Sequence, residues 1–442
     1  MLYNYSQKKI LILGMGLTGI SCINFFLKKG VTPKIIDESK KPYYLKKLPK
    51  NIQYKLGNLD KKWILESDLI IISPGISSFK PILIEAKLSG IEIISDIELF
   101  ARETKNPIIS ITGTNGKSTV STMVKDIAKN SGYKVCLGGN IGFPALDMLK
   151  EKADLYILEL SSFQLENIFT LKSKIAVVLN ITPDHLDRYP GGFEQYKKIK
   201  LSIYKNSKIC LFNLKENFKE NNLYFQNKNK KCITFGTFKS DYNIKYKKNY
   251  AYLYYKNQKI MNTKNTSLRS NQNYENALVS FAISDNMNFN RKIVINTLSK
   301  YVSLPHRFQI VHKKNNIYWI NDSKSTNINS TKTALTNINT QGTIRLLLGG
   351  DKKCANFEEL KKYLKKLKVK IYCFGKDGMK IEKIYQKNSI YTKKLEDAIN
   401  LISKEVTSGD IVLLSPGCSS KDQFKNFEER GNLFIKLSKE IG

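Results

Sequence analysis

PIISITGTNGKST, residues 107–119, reads as a strand, a glycine turn and a helix start. Pro107 to Thr112 is a short apolar run rich in β-branched residues, suited to a buried strand. Gly113 and Gly116 let the backbone turn sharply and approach a ligand without a Cβ in the way. From Ser118 the period becomes helical. Val120, Met123, Val124, Ile127 and Ala128 share one face, and Gly132 stands where such a helix stops. Loop N–H groups and the helix N-terminus then form a concave site for anionic oxygens. Lys117 adds a point charge for outer phosphates, and the Ser118 hydroxyl can hold Mg²⁺. The general phosphate loop has a Gly five residues before Gly116, where this chain has Ile111, so T-G-T-N-G-K-S-T is a tighter form.

At 442 residues, 41% hydrophobic and 11% aromatic, the chain has room for two or three globular domains. The formal charge of +35 invites a nucleic-acid reading, but only seven of the 73 basic residues are Arg. Arg is the residue that planar base and phosphate recognition favours. The lysines are dispersed among Asn, Ile and Tyr, a pattern of solvated faces. Seven widely spaced cysteines without C-x-x-C argue for reduced thiols and against a zinc site. No signal-peptide core and no run near the roughly 20 apolar residues of a membrane span is present, so a cytoplasmic protein is expected.

The pattern of strand, loop and helix recurs along the chain. KKILILGMGLTG (8–19) carries G-x-G-x-x-G at Gly14, Gly16 and Gly19, and Asp37 ends the next strand about 20 residues on. That motif places phosphates at a helix N-terminus without naming the nucleotide. Asp37 reads equally as a turn cap. SDLIIISPGIS (67–77) is a buried strand ending in Ser-Pro-Gly. KVCLGGNIG (134–142) carries Asn140, and ADLYILELSSFQL (153–165) places Glu159 at the end of an apolar strand. A buried Glu needs a partner, and beside a phosphate loop a metal ion is the favoured one. Asp184, His185, Asp187 and Arg188 cluster after the strand 174–179. Lys200 falls on the apolar side of the helix 196–204, where it either snorkels or reacts as a free amine. Residues 205–268 suggest short alternating strands. QNYENALVSFAIS (272–284) reads as an amphipathic helix with Asn273 and Asn276 as caps at its start. A last α/β unit begins near 303.

Taken in order, GMGLTG, SPG (73–75), TGTNGKST, LELSSFQL, NITPDHLDRY (180–189), the lysine of YKKIKLSIY, LPHRF (304–308), NDSKSTN (321–327), LLLGGDKK (346–353) and SPGCSSKDQFKNFEERG (415–431) resemble the Mur ligase family over the whole chain. The resemblance implies an α/β protein of three domains. These are an N-terminal Rossmann-like domain for a UDP substrate (1–95), a central phosphate-loop ATPase domain with a mostly parallel sheet (96–303), and a C-terminal Rossmann-like domain for an amino acid (304–442). It implies ATP-dependent amide formation through an acyl phosphate, with D-glutamate as the amino acid and UDP-N-acetylmuramoyl-L-alanine as acceptor. ATP and two Mg²⁺ ions are the implied cofactors, small molecules the only partners, and a monomer the implied state.

Residue by residue, the same resemblance assigns ATP to Gly113, Thr114, Asn115, Gly116, Lys117, Ser118, Thr119, Asn273, Asn276, Arg307 and Asp322. Leu17, Thr18, Asp37, Ser73, Asn140, Ser161 and Gln164 would bind the UDP substrate. Lys324, Thr326, Lys353, Ser420 and Phe427 would surround D-glutamate. Ser118, Glu159, His185 and a carbamylated Lys200 would hold metal, and Lys117, His185, Lys200 and Lys324 would act in catalysis. Where the family has Gly-x-His-Asn, this chain has Ser270-Asn271-Gln272-Asn273. The alternative within the class is a sibling Mur or folylpolyglutamate-type ligase with a different amino acid or acceptor. Two further rivals rest on single features: an NAD-dependent oxidoreductase on G-x-G-x-x-G, and a nucleic-acid-binding ATPase on charge.

Overall fold

Three sheets organise the chain in the computed structural model, which describes residues 3–215, 230–236, 238–247, 250–268, 270–338, 340–352 and 355–442. The first sheet holds β1 (Ile10–Leu13), β2 (Lys34–Asp37), β3 (Tyr54–Leu56), β4 (Leu69–Ile72) and β5 (Glu92–Ser95) in the order 3-2-1-4-5. Every pair is parallel. Strand order reverses between β1 and β4, so a crevice opens beyond their C-terminal ends. The glycine turn and the Ser-Pro-Gly turn meet there: Ser73 Oγ donates to the Gly14 carbonyl at 3.2 Å. The third glycine of the turn is required by packing, because a Cβ on Gly19 would lie 1.9 Å from the Gly14 carbonyl oxygen.

The second sheet contains β6 (Ile108–Thr112), β7 (Val135–Gly139), β8 (Leu155–Glu159), β9 (Ile175–Val178), β10 (Ile209–Asn213) and β11 (Lys231–Phe235). It continues into β12 (Tyr242–Tyr246), β13 (Ala251–Tyr255) and β14 (Gln258–Asn262), in the order 14-13-12-11-10-9-6-8-7. The sheet is parallel from β7 to β12, and β12, β13 and β14 pair antiparallel. The short strands expected over 205–268 are therefore present. The helix Lys117–Asn130 packs the expected face, Val120, Met123, Val124, Ile127 and Ala128, against Ile109 and Ile111 of β6. Each such large side chain contributes about 1.5–3 kcal/mol by burial.

One helix differs from its sequence reading. Asn271–Asn286 is buried without a break from Asn276 to Ser284, so it lies inside the core rather than showing one apolar face. It also starts at Asn271, which puts Asn273 and Asn276 inside the helix and not at its cap.

The third sheet holds β15 (Gln309–Lys314), β16 (Ile317–Asn321), β17 (Ile344–Gly349), β18 (Val369–Phe374), β19 (Ser389–Thr392) and β20 (Ile411–Leu414), ordered 15-16-20-17-18-19. Only β15 and β16 pair antiparallel. Ile344, Leu346 and Leu348 of β17 enter one apolar cluster while Leu347 enters another, so both faces are covered, as a parallel sheet demands.

By chain contacts the molecule divides into two compact units. One comprises 1–181, 188–269 and 273–301 and contains the first two sheets; the other comprises 182–187, 270–272 and 302–442. Among the described residues no helix is long and apolar enough to cross a membrane, and the described cysteines are unpaired.

Candidate active site

Within the first unit, the loop after β6 bends through Gly113 and Gly116, with φ of 152° and 86°. A Cβ on Gly116 would stand 2.9 Å from Asn276 Oδ1, so this glycine serves both the turn and a close approach. Asn276, expected as a cap, is instead packed against the loop. The amides of Thr114 and Asn115 donate to Asn180, at its carbonyl (2.8 Å) and its side-chain oxygen (2.8 Å). The cradle for anions is therefore the helix's first turn. The bond from Val120 N–H to Gly116 O opens the helical ladder, so the N–H groups of Lys117, Ser118 and Thr119 lie ahead of it, at the positive end of the helix.

Two lysines brace this loop, one from within its own motif and one from the later helix Gly192–Leu201. Lys117 Nζ donates to the carbonyls of Gly113 (2.7 Å) and Thr114 (2.9 Å). Lys200 is 2% exposed, and its Nζ donates to Gly113 O (3.0 Å) and approaches Thr112 Oγ1 (3.5 Å). It lies 4.9 Å from the centre of the Tyr196 ring, whose hydroxyl meets Thr114 Oγ1 at 3.0 Å. The snorkelling alternative is thus replaced by full burial under the phosphate loop.

Glu159 ends β8 level with Ile111 of β6. It is 1% exposed. Asn140 Nδ2 donates to Glu159 Oε1 at 2.7 Å, while Oε2 is buried with no hydrogen-bond partner. An unpaired buried carboxylate oxygen is costly, and a hard cation is what it suits. Together with the buried hydroxyl of Ser118, this donor set fits Mg²⁺, which takes one or two protein oxygens and completes its shell with water and phosphate. Next along the chain, Ser161 and Gln164 form a capping box for the short helix Ser162–Leu165.

In the first sheet, Leu17 is exposed, Thr18 is half-buried, and Asn140 in the second sheet is exposed. Asp37 already acts on the backbone: Oδ2 accepts from Met15 N–H (2.6 Å) and Oδ1 from Ser39 N–H (2.7 Å). Each oxygen keeps a second lone pair for a ligand.

The second unit gathers the remaining residues. His185 has φ of 54°, and its Nε2 lies 3.7 Å from Asp184 Oδ1. Lys324 Nζ sits 3.7 Å above the Phe427 ring. Ser420 is buried and Thr326 half-buried. Arg430, fully buried, binds Ser323 Oγ (3.0 Å) and the Cys418 carbonyl (3.2 Å), which ties the loops bearing Lys324 and Ser420 together. Burial pulls its guanidinium down to about 10. Lys353 lies outside the described residues.

Asp322 accepts from Phe308 N–H, Ser325 Oγ and Ser415 Oγ. Burial nevertheless pushes its carboxyl up to about 6, against those donors and the Arg307 guanidinium. Its folded value lies above the ordinary 3.8, so the folded chain holds this proton more tightly than the unfolded chain. Stability from this group is full below about pH 4 and is lost by about 3 kcal/mol as pH rises to about 6. In urea unfolding, wild type is expected to weaken across that window relative to Asp322→Asn. Parallel curves for the two proteins would refute the shift.

The sequence reading missed Asn180, Tyr196 and Glu166. Asn180 and Tyr196 open two of the motifs already quoted, but only strand adjacency shows what they touch.

Comparison with known proteins follows the same three-part division. Residues 8–95 match the "Mur ligase MurD-like, N-terminal domain", 111–284 the "Mur ligase middle domain", and 306–418 the "Mur ligase, glutamate ligase domain". The chain is 69% identical over 442 residues, all of both chains, to the UDP-N-acetylmuramoylalanine–D-glutamate ligase of Buchnera aphidicola subsp. Schizaphis graminum. To the enzyme of that name from Escherichia coli K12 it is 44% identical over 439 residues, 99% of this chain and 100% of the other. Among solved structures, the MurF ligase of Thermotoga maritima in complex with ADP superposes with a TM-score of 0.65 at 17% identity, covering 100% and 98% of the two chains. The UDP-N-acetylmuramate–alanine ligase of the same organism gives 0.63 at 18%, covering 98% and 100%. The fold is thus the three-domain α/β fold of those structures.

Proposed function

The chain belongs to the Mur ligase family, and from that premise we propose that it joins D-glutamate to UDP-N-acetylmuramoylalanine at the expense of ATP, in peptidoglycan precursor synthesis. The observation that carries this reading is full-length identity of 44–69% to enzymes of that name. The phosphate loop with its buried Glu159 supports it from the chemical side.

The reaction begins from a poor electrophile. A carboxylate has no competent leaving group, so the terminal carboxylate oxygen of the acceptor first attacks the γ-phosphorus of ATP and releases ADP. The amine of D-glutamate then attacks the acyl-phosphate carbon. A C–N bond forms, the tetrahedral intermediate expels inorganic phosphate, and the nitrogen gives up a proton. Phosphoryl transfer is governed by positioning and charge. The amides of Lys117, Ser118 and Thr119 receive the outer phosphates, and Lys117, swung from the loop carbonyls, neutralises them. Ser118 and Glu159 would hold one Mg²⁺, and His185 with a carbamylated Lys200 a second; bound there, the ions offset charge on the transferring phosphoryl. Asn273, Asn276, Arg307 and Asp322 serve the nucleoside. Leu17, Thr18, Asp37, Ser73, Asn140, Ser161 and Gln164 take the UDP substrate. Lys324, Thr326, Lys353, Ser420 and Phe427 receive D-glutamate. Domains of 1–95, 96–303 and 304–442, acting as a cytoplasmic monomer, complete the proposal.

Phosphate release from ATP and Mg²⁺ with UDP-N-acetylmuramoylalanine is expected to depend on D-glutamate. Release that instead requires a different amino acid would reassign the chain to another ligase of the family.

A further inference from the structure

We propose that Arg188 is a positioning residue for the diphosphate of the UDP substrate, acting through the turn at residues 73–76. The inference rests on the substrate reading above. Ile76 N–H closes this turn on Ser73 O at 3.0 Å, beside the glycine loop of β1. The Arg188 guanidinium holds the outer carbonyls of the turn: Nη1 donates to Pro74 O and Nη2 to Ile76 O, each at 2.9 Å. Its other edge grips Glu166, Nε to Oε1 at 2.6 Å and Nη2 to Oε2 at 2.9 Å. The Phe163 ring lies 4.1 Å from its centre. Glu166 also accepts from Ser78 Oγ at 2.8 Å, just beyond the turn. Both side chains are out of solvent, at 10% and 1% exposure.

A trans peptide is planar, with C=O and N–H pointing in opposite directions. No cis bond occurs among the described residues. Fixing Pro74 O therefore fixes the Gly75 N–H, and fixing Ile76 O fixes the Ser77 N–H, both aimed away from the guanidinium. Two amides oriented this way, polarised by a cation behind them, suit a diphosphate at the crevice of an open α/β sheet. Arg188 and Glu166 themselves follow β9 and β8, the strands flanking the phosphate loop. The substrate turn is thus set by loops of the second sheet. Only a rigid five-donor fork serves these four acceptor oxygens together; a lysine ammonium, with three donors, cannot.

Steady-state kinetics of Arg188→Lys and Glu166→Gln, with calorimetry of UDP alone, test this. For Arg188→Lys, KM for the UDP substrate is expected to rise about tenfold, as for oriented bonds to a charged group, with kcat and KM for ATP within about twofold. UDP binding should weaken by the same factor. Glu166→Gln keeps the side chain's shape and should show the same split, smaller, and it decides the matter where the lysine variant does not fold. Equal rises in both KM values, a fall in kcat alone, or no change would overturn the role of Arg188. A wild-type chain that neither binds UDP nor releases phosphate would overturn the substrate reading, and this inference with it.

Discussion

Replacing Glu159 by glutamine is expected to lower kcat by about a thousandfold while leaving the fold intact. The side chain is already half satisfied: Oε1 accepts from Asn140 Nδ2, and a glutamine oxygen can keep that bond. The other oxygen is buried without a partner. Leaving such an atom unmet costs about 1–3 kcal/mol, more for a charge. Glutamine exchanges that unmet anion for an unmet neutral amide, so the melting temperature without Mg²⁺ should hold or rise slightly. What the variant loses is the charge at the end of β8, next to the phosphate loop. A loss near 4 kcal/mol of transition-state stabilisation corresponds to about three decades in rate. The binding readout is separate: Mg²⁺ with ADP should raise the melting temperature of wild type and not of the variant. Near wild-type kcat at equal Mg²⁺ would remove Glu159 from the metal site.

Much of this site is written locally in the chain, and the rest is not, for a physical reason. The 107–119 stretch combines β-branched residues, two glycines and a helical apolar period, each readable within a few positions. Glu159 was legible too, since an acid ending the apolar run 155–158 must be buried. The partners of the loop amides were not. Asn180 reaches Thr114 and Asn115 because β9 lies directly beside β6, and no local signal states that the order is 10-9-6-8-7. The caps expected at Asn273 and Asn276 failed through a boundary: the helix begins at Asn271, and core packing rather than capping places Asn276 at Gly116. At Asp37 the structure shows the turn-cap reading, since the carboxylate accepts from the Met15 and Ser39 amides, and the ligand reading stands as part of the proposal. Arg188 looked like one charge in a polar cluster. Only the second sheet's loops reveal it as the fork joining Glu166 to the 73–76 turn.

Lys200 tests whether the second lysine of the loop is a strut or an acid in waiting. Truncation to alanine removes its bonds to Gly113 O and Thr112 Oγ1 and empties space beneath the Tyr196 ring. Lost packing and the loss of one of the two lysine donors to Gly113 O are expected to cost about 2–4 kcal/mol of stability, and activity should fall by at least about a thousandfold. Two roles are lost together in that variant, so it cannot decide between them. The substitution Lys200→Arg keeps a cationic donor for Gly113 O and cannot carry a carbamate. If the lysine is only a strut, Lys200→Arg should retain most of the rate. If its carbamate completes a metal site, Lys200→Arg should melt near wild type and be almost as inactive as Lys200→Ala. Acetate or propionate separates the two again, because a small carboxylate in the emptied space restores an anion and no donor. Partial recovery of Lys200→Ala with such an acid, and none with a neutral amide of the same size, is the outcome expected for the carbamate. Recovery by neither, beside an active Lys200→Arg, would leave Lys200 as a brace for the phosphate loop.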